Sequence, residues 1–172
     1  MKKILTALIL AATFIASAHA QQNNNSSGST QNNAAPSYMV TKNNTSLDSI
    51  HTLQEKAAEG DADAQFSLGY IFAQGSGVKQ DYVEAARWFR KAGDQGNVNA
   101  QSDLGFIYAQ GKGVKQDYEE AAKWFRKAAE KDDAIAQFNL GLLYQKGYGV
   151  KQDWHESAKW FRKAAEQWKP QE

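Results

Sequence analysis

No cysteine occurs anywhere in the 172 residues. Disulfides, thiolate nucleophiles, cysteine-held metals and a lipid-modified cysteine are excluded together, so stability has to come from packing. Long apolar runs are missing as well. The most apolar stretch, Ile4 to Ala12, is interrupted by Thr6 and is shorter than the ~20 residues a membrane-spanning helix needs. Neither sign of charge dominates: 20 Lys and Arg stand against 19 Asp and Glu. A chain so balanced has no electrostatic footprint for nucleic acid or for an anionic membrane surface.

What is present begins with two lysines, the short apolar stretch and Ala18-His19-Ala20. A positive start, a short apolar segment and an A-x-A site predict a secretory signal peptide over 1–20, cut after Ala20, and a periplasmic or secreted product. Losing Lys2 and Lys3 lowers the basic count from 20 to 18 against 19 acidic residues. The segment 21–45 is rich in Gln, Asn and Ser. It has too little apolar surface to offset the entropy of ordering and reads as a disordered tether.

A 36-residue period governs the rest, as "GSGVKQDYVEAARWFRKA" from Gly75 returns from Gly111 and again from Gly147. The copies run 60–95, 96–131 and 132–167. A period of this length signals a solenoid. Each copy resolves into two helices. In the first copy one helix covers Ala62 to Gln74, with Ala64, Leu68, Ile71 and Phe72 along one side; the other carries Tyr82, Ala85, Ala86, Phe89 and Ala92. Asp61, Asn97 and Asp133 stand as N-caps, and the loop glycines supply the left-handed turn. Asp81, Asp117 and Asp153 precede Glu84, Glu120 and Glu156 by three residues, a capping-box spacing in which the Glu reaches back. Residues 46–59 read as an N-terminal capping helix and 168–172 as a tail. The expectation is an all-α solenoid of three helix-turn-helix repeats with seven helices.

The pattern A-x-A-Q-x-x-L-G-x-x-Y, then G-x-G-V-x-x-D-Y-x-x-A-x-x-W-x-x-K-A-A, resembles the Sel-one-like repeats, relatives of the tetratricopeptide repeats. It is carried by Ala64, Gln65, Leu68, Gly69, Gly75, Gly77, Val78, Asp81, Tyr82, Ala85, Trp88, Lys91 and Ala92, and by their counterparts in the later copies. The resemblance implies a right-handed superhelix that binds other proteins, commonly as an adaptor. It also implies an alternative, because some exported bacterial members bind or hydrolyse β-lactams and carry a disulfide in each repeat. This chain has none of those cysteines.

The chemical candidates are thin. Ser76-Gly77-Val78-Lys79 matches S-x-x-K, but that chemistry needs the serine at a helix start with oxyanion donors, and here glycines flank it. His51 and Glu55 share a helix face, yet zinc needs three or four ligands and His155 is the remaining histidine after Ala20. The glycines before Lys112 have five residues between them where a phosphate loop has four. No catalytic, cofactor or metal site is predicted.

Several of the positions at which the copies differ fall on one face of each first helix. Those positions are Asp63, Phe66, Ser67, Tyr70 and Gln74, then Asn99, Ser102, Asp103, Phe106 and Gln110, then Ile135, Phe138, Asn139, Leu142 and Lys146. They are expected to pave a groove that receives a protein or peptide partner in the cell envelope. A second expected surface is the C-terminal end, where Trp154, Trp160 and Trp168 suggest self-association.

Overall fold

The computed structural model of the protein describes residues 47–167. The expected signal peptide, tether and tail lie outside those residues, as does Trp168. The described part consists of α1 (Leu47–Ala58), α2 (Ala62–Gln74), α3 (Tyr82–Asp94), α4 (Val98–Gln110), α5 (Tyr118–Ala129), α6 (Ala134–Lys146) and α7 (Trp154–Gln167). No strand occurs among the described residues. The helices pair as the period predicts: α2 with α3, α4 with α5, α6 with α7. The second helices α3 and α5 also pack on the first helix of the following repeat, and α1 covers α2 where a preceding second helix would lie.

Local chemistry sets the helix ends. Asp61, Asn97 and Asp133 each accept an orphan amide, from Ala64 at 2.8 Å, Ala100 at 2.9 Å and Ala136 at 2.6 Å. Each first helix stops at a glycine in the left-handed region, with φ of 70° at Gly75, 66° at Gly111 and 69° at Gly147. Asp81, Asp117 and Asp153 cap the second helices in the same manner. The full capping box does not form. The amides of these three aspartates donate to the carbonyls of Phe72, Tyr108 and Tyr144, so no donor is left for a glutamate to reach back to. Glu84, Glu120 and Glu156 instead pair forward with Arg87, Lys123 and Lys159.

Within a repeat the two helices meet across a glycine. A methyl group on Gly69 or Gly105 would lie 2.6 Å from the ring of Phe89 or Phe125, so only a glycine lets the rings approach. Leu68, Leu104 and Leu140 are sealed beside them.

Between repeats the contacts recur in three kinds. The buried glutamines Gln65, Gln101 and Gln137 donate to the carbonyls of Ala57, Gly93 and Ala129 at 3.0, 2.7 and 3.1 Å. Arg90 donates to the Tyr108 hydroxyl, and Arg126 to that of Tyr144 at 2.7 Å. The residue between the loop glycines lies on the aromatic ring that opens the preceding second helix. Lys112 sits over Tyr82 at 5.1 Å, and Tyr148 stacks on Tyr118 at 4.9 Å. A side chain at Gly113 or Gly149 would strike the backbone of Tyr82 or Tyr118, so these glycines allow loop and helix to touch.

Candidate partner-binding surface

First helices of successive repeats touch one another directly, across the second helix that lies between them in sequence. In a stack of helix pairs the first-helix faces turned away from the second helices are the ones expected to line a concave side. Asp63, Tyr70, Gln74, Asn99 and Lys146 are exposed there, Tyr70 to 45 %. Phe66, Ser67, Asp103, Phe106, Gln110, Phe138 and Leu142 are half-buried.

Three of the expected groove residues do not reach the surface. Ser102, Ile135 and Asn139 are buried, which corrects their assignment. The Ser102 hydroxyl donates to Asp133, the cap of α6, at 3.3 Å. The first turn of α6 therefore lies against α4, and Asn139, one turn on, spends its amide on the Ile135 carbonyl at 2.8 Å. The phenylalanines also belong largely to packing. Phe66 and Phe138 meet Phe89 and Phe161 at ring-centroid distances of 5.7 and 5.3 Å. In the middle repeat Ser102 replaces that ring, and Phe106, one turn further, meets Phe125 edge-on at 5.1 Å. The polar rim is partly tied down, since Asn97 donates to Asp63 at 3.0 Å and Ser67 to the Asp63 carbonyl at 2.8 Å.

Asp103 is the electrostatically unusual member. Burial pushes its carboxyl up to about 7, and the nearby charge of Asp133 adds to the rise. Unfolding returns it to the ordinary carboxylate value, so the folded state holds this proton more tightly. Its contribution to stability is full below about pH 4 and is lost as pH rises through about 7. Asp103→Asn is accordingly expected to raise stability by on the order of 2 kcal/mol at pH 8, allowing for solvent screening of a half-exposed group, and by almost nothing at pH 4. Urea denaturation of both proteins at the two pH values checks this, and a gain independent of pH would refute it.

The chemical motifs fall in structural places. Ser76 lies inside the α2–α3 loop with its amide on the Ile71 carbonyl at 3.1 Å, and the next helix begins only at Tyr82. His51 pairs with Glu55 at 3.4 Å along α1. Gln65, Gln101 and Gln137 were not singled out as functional, although a polar residue kept beside the buried alanine in every copy is the signal that would have found them.

Stacked helix pairs, joined by a fixed set of inter-repeat contacts, define an α-solenoid repeat array. The chain belongs to the Sel1-repeat family, whose pattern matches residues 62–97, 98–133 and 134–167. Its structure is similar to a protective antigen of uropathogenic Escherichia coli with an SLR fold, at 46 % identity and a TM-score of 0.68 over 73 % of this chain and 26 % of that one. It is also similar to a Sel1 repeat protein from Oxalobacter formigenes, at 36 % identity and a TM-score of 0.66 over 69 % of this chain and 49 % of that one. The Helicobacter pylori cysteine-rich protein B, at 23 % identity and a TM-score of 0.55, shares the fold. In sequence, 43 residues are 48 % identical to the secretory immunoglobulin A-binding protein EsiB of Escherichia coli O6:H1, covering 25 % of this chain and 9 % of EsiB. The chain thus spans a small part of EsiB and about a quarter to a half of the two bacterial structures. Among the described residues no helix is long and apolar enough to cross a membrane.

Proposed function

We propose that the protein is an exported, non-enzymatic scaffold that captures a protein partner of the cell envelope on the inner face of its first helices. One observation carries this reading. The caps, loop glycines and inter-repeat contacts recur from copy to copy, whereas the exposed residues Asp63, Tyr70, Gln74, Asn99 and Lys146 stand where the copies differ. A frame that repeats and a face that varies is how a repeat array separates stability from recognition. The family's common role as an interaction scaffold supports it, and a relative named for binding an immunoglobulin favours a protein ligand over a small molecule. The groove phenylalanines contribute mainly by bracing that face, and the exposed polar side chains and Tyr70 do the recognising.

The test is affinity capture from envelope extract on the immobilised chain. Tyr70→Ala together with Asn99→Lys, both at exposed positions, is expected to lower capture about tenfold, the loss typical of a central interface residue. Helical content measured by circular dichroism should stay unchanged. Undiminished capture by that variant would place the partner elsewhere.

A further inference from the structure

The outer face of α7 is the second-helix face that no following helix covers among the described residues. Trp154 is 64 % exposed, and Ala158 and Ala165 are exposed beside it, whereas their counterparts Ala122 and Ala129 are 2 % and 0 % exposed. Trp160 is buried, so of the tryptophans expected at this end only Trp154 lies open among the described residues.

Inside the array this face holds the next repeat at three fixed points. On α5 they are the Ala129 carbonyl, the Arg126 guanidinium and the Tyr118 ring, engaged by Gln137, Tyr144 and Tyr148. On α3 the equivalent points are engaged by Gln101, Tyr108 and Lys112. The sequence of α7 provides the set again as Ala165, Arg162 and Trp154. None is met by another repeat among the described residues, and Arg162 turns onto its own helix, donating to the Ala158 carbonyl at 3.3 Å.

The complement can be read from the two occupied copies. It is a helix bearing Gln, then Tyr seven residues on, then a Lys or Tyr four residues further between loop glycines. We propose that the α7 face is a socket for such a helix, the first helix of a Sel1-type repeat carried by a different polypeptide. A second copy of this chain does not supply it head to tail. Its leading helix α2 has Phe72 in place of the tyrosine and Ser76 in place of the third residue, and its Gln65 is already spent on Ala57 beneath α1. The interface would continue, between chains, a contact the molecule makes twice within itself.

The probe is a fluorescein-labelled peptide of residues 134–152, held helical by a lactam bridge and titrated with the full chain while anisotropy is read. Saturable binding is expected. It should weaken at least tenfold with Trp154→Ser in the protein, and again when the peptide carries Gln137→Leu and Tyr144→Phe. Trp154 is exposed, so its replacement leaves the fold intact. Absence of saturable binding, or binding indifferent to Trp154→Ser, overturns the proposal. Two further results would also overturn it by naming another occupant: a dimer in sedimentation that Trp154→Ser dissolves, or tenfold tighter peptide binding once residues 168–172 are removed.

Discussion

Phe125→Ala is expected to cost about 3–5 kcal/mol, measured as a shift in urea midpoint at unchanged slope. The ring is 1 % exposed and lies over Gly105, meets Phe106 edge-on, and belongs to the cluster containing Leu140 and Trp160. Removing it opens a cavity bounded by α4 and α6 together, where collapse from one side cannot close the gap. A domain of this size is stabilised by ~5–15 kcal/mol, so the variant loses a large fraction of its margin. The repeat supplies its own control. Phe161 occupies the same position in α7 but is only half-buried, and Phe161→Ala should cost roughly half as much. Equal losses at the two sites would mean that the stack does not share its burden through the middle repeat.

Gly149→Ala is expected to be nearly as damaging, at about 2–4 kcal/mol, although it adds a single methyl group. Two effects combine. The residue has φ of 65°, where an L side chain is strained, and the new Cβ would run into the backbone of Tyr118, which cannot swing aside as a side chain can. Relief requires the α6–α7 loop to lift off α5, which also unstacks Tyr148 from Tyr118. Hydrogen exchange should therefore rise first in α7, with α2 and α3 protected as before. Gly60→Ala is the matched comparison. Its φ is 100°, yet a Cβ there meets nothing within 4 Å, so it should show only the conformational cost of about 1–2 kcal/mol. If both variants lose the same amount, close approach between loop and helix is not what holds the third repeat.

The architecture was legible because a repeat states its rules several times. The Ala62 to Gln74 helix and the aspartate and asparagine caps follow from local spacing, and neighbours only reinforce them. What misled was always decided by a group distant in sequence. Glu84 was expected to reach back to Asp81, but the Phe72 carbonyl had taken the amide. Asn139 looked like a groove residue because helical periodicity reports a face without reporting which neighbour covers it. Trp154 and Trp160 both suggested an open end, and burial separates them although they share one helix. In the middle repeat the ring shifts from the Ser102 position to Phe106 with little change in packing, a compensation visible only once the Phe125 ring is in place. The inner face was thus readable as a list of varying positions, but the division between residues that brace it and residues that meet a partner required the packing.

The placement of α1 bears on how far assembly can go. Contacts between unlike surfaces repeat without limit whenever every unit offers both surfaces, and the product is a fibre. Here α1 occupies one of the two edges, so a unit that accepts a neighbour at α7 offers no matching edge in return. The described array would then end a stack of repeats without seeding a polymer of itself.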